Sequence, residues 1–421
     1  VIETAARSLW SGRTLALLGI LLVAANLRTA VAALSPIITR VDADIPLGTL
    51  AVGVLGMLPP VCFALFGIFT PMFTKRHGLE TTLALSLLAL FVGHLARGLS
   101  GSVVLLLLGS AITFAGLGVG NVLLPPLVKK YFPDRVGLVT SLYVTVISLS
   151  TLVPPLVAVP VADAAGWRTS LGMWSAFALV ALVPWITMLV RHRTGNMPTP
   201  VVEEPEPALL GRLRHSSVAW AITAVFAVSS VNAYAVFAWL PQLLVDRALV
   251  SEGEAGTLLS LFCAMGFPCA VVIPVLTVRL KNVGLLVYAG AFCFVIGYLG
   301  LIVAPMTLTW LWVSAAGLGQ LLFPLALVLI NLRTRTHEGA VAMSGFVQGV
   351  GYTLGALGPL VVGLLHEVTG DWLWPLVFLT ATALAVTVAG AVIARPHMLE
   401  DDLGRFRPAP LHLPRAEDRK D

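Results

Sequence analysis

Charge is scarce in this chain. Of its 421 residues only 11% are Asp, Glu, Lys or Arg, against roughly 25% in a typical soluble domain, and that excludes a water-soluble globular fold. Cysteine is rare as well. Cys62, Cys263, Cys269 and Cys293 all lie in apolar stretches, so no disulfide framework is expected and they read as packing residues. The eight histidines are scattered, and Cys and His nowhere fall at metal-ligand spacing. A serine elbow and a P-loop are missing too. The chain is therefore expected to be no enzyme and to need no cofactor or metal. No polar stretch is long enough for a nucleotide-binding domain, so energy is expected from a gradient or from the substrate's own.

What is abundant is apolar length, with 58% of residues hydrophobic. Stretches of about 20 residues or more, enough to cross a hydrocarbon core of roughly 30 Å, fall near 14–39, 49–74, 80–98, 102–128, 136–161, 168–190, 217–245, 254–279, 283–303, 307–332, 340–366 and 372–394. The fold class is an all-α membrane protein of twelve transmembrane helices. The first span is too long for a cleavable signal peptide and carries an arginine at its centre.

The few charges orient the chain. With the N-terminus inside, the cytoplasmic loops and tails hold 21 of the 26 Lys and Arg, and the outer loops hold Arg40, Arg97, Arg168 and Arg247. That bias places both termini in the cytoplasm of a multi-pass protein of the inner membrane. The net charge of +5 thus reports orientation and not nucleic-acid binding.

A polar stretch with Pro198, Pro200, Pro205 and Pro207 and with Glu203, Glu204 and Glu206 cannot bury a core. It divides the chain into a six-helix bundle at 1–193, a cytoplasmic linker at 194–211 and a second bundle at 212–394. A polar tail, expected to be partly disordered, follows at 395–421. The halves resemble each other: "ALSPIIT" (33–39) matches "AWLPQLL" (238–244), "TPMFTKR" (70–76) matches "IPVLTVR" (273–279), and "GLGVGNVLLPP" (116–126) matches "GLGQLLFPL" (317–325). Parallel repeats of six helices point to alternating access with the substrate between the halves.

Arg28 carries most of the chemistry. About 11 residues from either end of its span, it lies too deep to snorkel, and burying it costs about 2.5–3.5 kcal/mol on insertion scales. Every Asp and Glu falls in a loop or tail on these spans, so no intramembrane acid offsets it. An anionic substrate would supply the missing partner; the competing reading is a structural arginine satisfied by carbonyls and by Asn26. Asn121, Tyr143, Asn232, Trp239, Gln320, Gln348 and Tyr352 are further polar or amphipathic candidates within the spans, as substrate contacts or as interhelical glue. Glycines 116, 118 and 120, and those along the eleventh span, suggest close helix packing. Pro59-Pro60, Pro154-Pro155, Pro268, Pro324 and Pro359 suggest interruptions where backbone lines a cavity.

Several motifs carry a family resemblance: "NLR" (26–28), "GNVLLPPLVKKYFPDRVGLVTSLY" (120–143), "GWRTSLGMW" (166–174) and "WLPQLL" (239–244). The chain resembles the major facilitator superfamily and, within it, the cyanate and 2-nitroimidazole transporter family. The resemblance implies two pseudo-symmetric six-helix bundles and a small anion or nitro-heterocycle as substrate. It puts Asn26, Arg28 and Asn121 in the lining of the first half. The superfamily's loop between helices 2 and 3 departs here: "PMFTKRHGLE" (71–80) keeps Arg76 and Gly78 but has Lys75 at the aspartate position. Lys75, Arg76, Gly78 and, in the second half, Arg279 are the gating candidates. The expectation is a monomeric secondary carrier in the lipid bilayer for a small, cyanate-like monoanion. The alternatives are efflux of neutral nitro-heterocycles or drugs, and a non-transporting receptor or scaffold.

Overall fold

Backbone inside hydrocarbon must satisfy its own hydrogen bonds, so spans become helices. A computed structural model describes residues 13–192 and 213–404; the expected linker at 194–211 and the tail beyond 404 lie outside the described residues. Helices α1 (Thr14–Asn26), α2 (Ile38–Asp44), α3 (Gly48–His77), α4 (Leu79–Gly98), α5 (Val103–Tyr131), α6 (Val136–Ala165), α7 (Trp167–Gly172) and α8 (Trp174–His192) form the first half. The second half comprises α9 (Ser217–Ala248), α10 (Glu252–Arg279), α11 (Gly284–Val303), α12 (Thr309–Leu318), α13 (Leu322–Leu332), α14 (His337–Thr369), α15 (Leu373–Ile393) and α16 (Leu399–Gly404). Eleven crossings among the described residues are long and apolar enough to span a membrane, with α7–α8 and α12–α13 each counted once. The first span supplies the twelfth in broken form, so the chain is an all-α membrane protein.

Local chemistry sets the ends. Gly78 (φ 81°) and Gly166 (φ 84°) turn the chain between α3 and α4 and between α6 and α7, in a conformation that costs glycine little. Ser251 and Glu254 form a capping box at the start of α10. The prolines behave otherwise than expected: α3, α6, α10 and α14 run on through Pro59-Pro60, Pro154-Pro155, Pro268 and Pro359. Neighbouring helices can re-satisfy the freed carbonyls there. Breaks come instead at residues 27–34 and at the 3-10 turn Gly319–Leu321, just before Pro324.

The buried core divides as the chain does. One cluster runs from Leu213 to Leu399 and takes Ala32 from the first half; the others use residues up to Met188, joined by Tyr234. Glycines let helices approach. A Cβ at Gly116 would lie 2.6 Å from the Ser86 carbonyl oxygen, and one at Gly118 3.0 Å from that of Cys62.

The membrane face holding the end of α8 and the start of α9 is called the linker side below, and its opposite the far side. The halves meet closely on the far side. A Cβ at Gly256 would come 2.6 Å from the Pro155 carbonyl oxygen, and Ser260 Oγ donates to the Leu152 carbonyl at 2.9 Å. Arg40 pairs with Asp163 of its own half at 2.7 Å and with Glu252 of the other.

As far as Gly404 the tail docks on the second half. Leu399 is fully buried, Glu400 accepts from the backbone N–H groups of Arg335 and Thr336, and Asp402 accepts from Ser216 Oγ at 2.7 Å. Acids that read as solvated in sequence have fixed partners here.

Candidate functional site

The first span does not carry Arg28 in mid-helix. Helix α1 ends at Asn26, and residues 27–34 follow as turns and bends before a 3-10 turn at Ser35–Ile37. Leu27, Thr29 and Val31 donate to the carbonyls three residues back, which tightens the chain past the reach of the α-helical ladder. Asn26 anchors the break: its Nδ2 donates to the Leu22 carbonyl at 2.8 Å and to that of Phe177 at 3.3 Å, and its carbonyl accepts from Thr29 Oγ1. Arg28 therefore projects from irregular backbone between the two halves.

Three rings receive it. Its guanidinium lies 5.7 Å from the centre of the Phe63 ring on α3 and within reach of the hydroxyls of Tyr234 on α9 and Tyr352 on α14. The rings contact one another edge-on, with centroids 5.8 Å apart for Phe63–Tyr352, 6.5 Å for Phe63–Tyr234 and 6.4 Å for Tyr234–Tyr352. The Phe63 face offers the cation the negative side of its quadrupole. No carboxylate among the described residues comes within ion-pairing distance of Arg28.

Of the residues singled out in the sequence, Arg28 and Tyr352 meet here. Asn121, on α5, is half-buried beside Gly120, whose Cα hydrogens face Leu27. Tyr143 is buried in the first-half cluster that also holds Leu27 and Phe63. Gln348 lies one turn before Tyr352 and donates to Ser344 Oγ at 2.7 Å. Gln320 donates to the Phe262 carbonyl at 2.8 Å. Asn232 and Trp239 stand apart, buried within the second half. Asn232 donates to Thr382 Oγ1 and accepts from the Tyr298 hydroxyl, while Trp239 Nε1 donates to the Pro359 carbonyl at 2.8 Å. Lys75 and Arg76 occupy the last turn of α3, Gly78 makes the following turn, and Arg279 ends α10.

Two sequence placements need correction. Glu80 is not in a loop: it is buried in the first turn of α4, paired with Lys130 and accepting from the Tyr131 hydroxyl at 2.6 Å. Arg97 is not in an outer loop either. It belongs to the last turn of α4 and is 1% exposed, its guanidinium 5.9 Å from the Phe114 ring centre. Helix α4 continues to Gly98, where α7 packs closely against it, a Cβ there meeting Gly172 Cα at 2.7 Å. Sequence reasoning also missed Phe63 and Tyr234. The signal available for Tyr234 was its rarity, since the chain has only six tyrosines and a phenol within an apolar span needs a polar partner.

A family model described as Major Facilitator Superfamily matches residues 16–356. The chain belongs to the major facilitator superfamily. Over 376 residues it is 34% identical to the uncharacterized transporter YycB of Bacillus subtilis (strain 168), covering 88% of this chain and 91% of that one. Two relatives from Escherichia coli (strain K12) match as fully. The 2-nitroimidazole transporter is 30% identical, covering 91% of this chain and 96% of its own, and the cyanate transport protein CynX is 26% identical, covering 85% and 91%. In fold the chain is similar to a solved bacterial homologue of the human lysosomal transporter Spinster, with a TM-score of 0.70 at 16% identity, over 91% of this chain and 95% of that one. This facilitator is a multi-pass membrane transporter and not an enzyme.

Proposed function

We propose that the chain is a secondary carrier for a small monoanion of cyanate-like size, moved by alternating access with Arg28 as the anion's partner. One observation carries this reading: a guanidinium between the two halves, held by rings and phenols, with no carboxylate at ion-pairing distance among the described residues. A charge at that depth is costly without compensation. An anion compensates it and gains charge-assisted hydrogen bonds. Tyr234 and Tyr352 would donate to the same anion, with Asn121 and Gln348 as further donors at the edge. The bodies that move are residues 1–193 and 212–394, and a single copy forms the pathway. The linker side is the cytoplasmic side of the inner membrane, as the positive charge of its loops favours.

The test is uptake of labelled small solutes, charged and neutral, into proteoliposomes holding wild type or Arg28→Ala. Entry of a monoanion in wild type, with flux lost in the mutant, is the expected result. Unchanged anion flux in a folded mutant removes Arg28 from the mechanism.

A second reading, efflux of small neutral nitro-heterocycles, is favoured by the ring cage of Phe63, Tyr234 and Tyr352, whose faces suit a flat π-system. Flux confined to neutral compounds and surviving Arg28→Ala would put that reading first.

A further inference from the structure

Beyond the ring cage, toward the far side, lies a small cavity open at its mouth. Ala30 and Val31, just past Arg28 in sequence, line it together with Phe237 of the second half. Its other lining includes three polar side chains that no sequence pattern connects: Ser35 from the first span, Arg97 from α4 and Ser110 from α5. They are 7%, 1% and 0% exposed. All three are orphaned, since Ser35 Oγ, Ser110 Oγ and both Nε and Nη1 of Arg97 have no hydrogen-bond partner.

Leaving a buried donor unpaired costs about 1–3 kcal/mol, and more where the group is charged. The Phe114 ring eases the charge on one face only. Water could serve the two hydroxyls, yet it would leave the guanidinium's charge uncompensated in apolar surroundings. No carboxylate among the described residues stands within ion-pairing distance of Arg97. A small anion answers both needs at once, accepting from the guanidinium edge and from both hydroxyls.

We infer that this cavity is a second anion-binding site, which takes a small monoanion between Arg97 and the hydroxyls of Ser35 and Ser110. It shares its ligand class with the function proposed for Arg28 and rests on that reading for its place in transport, though not for binding itself. Because the cavity adjoins the cage on the far side, an anion leaving Arg28 in that direction passes Arg97 next. The site is a holding position beneath the far-side closure of Gly256 on Pro155, and it spares the anion a single jump from the midplane to water.

The test uses the purified full chain in detergent, with nitrate as the probe replacing gluconate at constant ionic strength and the thermal midpoint as the readout. In an Arg28→Gln background nitrate still raises the midpoint. Adding Ser35→Ala and Ser110→Ala, which keep the charge, raises the half-saturating nitrate concentration about a hundred-fold, the effect of losing two hydrogen bonds to a charged group. Adding Arg97→Gln abolishes the response. If Arg28→Gln alone removes all response, or the serine variants titrate like their parent, the cavity holds water only and the inference falls. Should Arg97→Gln fail to fold, the serine pair still decides. Normal anion flux in Arg28→Ala would defeat the transport reading without touching nitrate binding in Arg28→Gln, so the two failures remain distinguishable.

Discussion

Arg40 pairs with Glu252 across the two halves while its other edge holds Asp163 at 2.7 Å. Both cross-half partners are about 30% exposed, 28% for Arg40 and 29% for Glu252, so this bond closes the far side without dominating it. Removing it should bias the carrier toward far-side opening. In a cysteine-free background, Val159→Cys sits 4.0 Å from where a Cβ on Gly253 would be and reports that opening. With Glu252→Gln, its labelling by a membrane-impermeant maleimide should quicken about two- to five-fold, the scale of one partly exposed pair. An unchanged rate would mean the closure rests on the Gly256–Pro155 packing and the Ser260–Leu152 hydrogen bond.

The ring cage separates hydroxyl chemistry from ring packing. Tyr234→Phe and Tyr352→Phe keep the edge-on contacts and remove only the O–H groups beside Arg28. Each should raise the KM for a transported monoanion about five-fold, the value of one hydrogen bond, while the thermal midpoint holds. Unaltered kinetics in both variants would reduce the two phenols to packing.

Two glycines on α14 should respond oppositely. A Cβ at Gly358 would meet the Val231 carbonyl oxygen of α9 at 2.5 Å, whereas nothing lies within 4 Å of one at Gly349. Gly358→Ala should lose about 1–3 kcal/mol by overpacking. Gly349→Ala should gain up to about 1 kcal/mol in helix propensity. Thermal midpoints in one detergent compare them directly, and equal shifts would contradict the close approach of α14 to α9.

The docked tail segment should loosen in acid. Burial pushes the Asp402 carboxyl up, but hydrogen bonds from Ser216, His397 and the Val218 backbone outweigh it and hold the group below the usual carboxylate value. A carboxyl lowered by folding contributes stability that is complete above its unfolded value and lost as pH falls through the folded one, here below about pH 4. Amide exchange over Leu399–Gly404, corrected for intrinsic rates, should rise in that range. Asp402→Asn should show the same rise, about ten-fold, at neutral pH. Exchange that ignores both changes would leave docking to Leu399 and the Glu400 and Asp401 contacts with Arg335 and Thr336.

The spans and the helical class were legible because they depend on apolar length, which any window of the sequence exposes. Arg28 was legible for the same reason, as a charge inside such a window. Its setting was not. The break after Asn26 depends on hydrogen bonds to Leu22 and Phe177, the latter some 150 residues away, and residues 27–34 carry no proline or glycine to announce it. Of the prolines that did stand out, all but Pro324 sit within continuous helices. Arg97 was misplaced because a positive charge near a span's end reads as a loop residue, whereas it lies in the last turn of α4, next to the close packing of Gly98 on Gly172. The amide side chains of Asn232 and Gln320 looked alike in sequence to that of Asn121, yet the first two spend their donors on neighbouring helices and the last does not.

The short first helix also bears on how the protein is made. At 13 residues, α1 is roughly 20 Å long, well short of a hydrocarbon core of roughly 30 Å, and the segment that extends it carries a guanidinium. Emerging from a ribosome, such a segment has weak claim to the lipid by itself. The phenols that receive its charge, Tyr234 and Tyr352, are synthesised more than 200 residues later. Arg28 is thus among the last residues of the first half to find its final neighbours, although α1 itself packs on α5, α6 and α8. Nascent chains halted before α9 should hold α1 through α6 and α8 yet leave Arg28 without the phenols it meets in the finished protein.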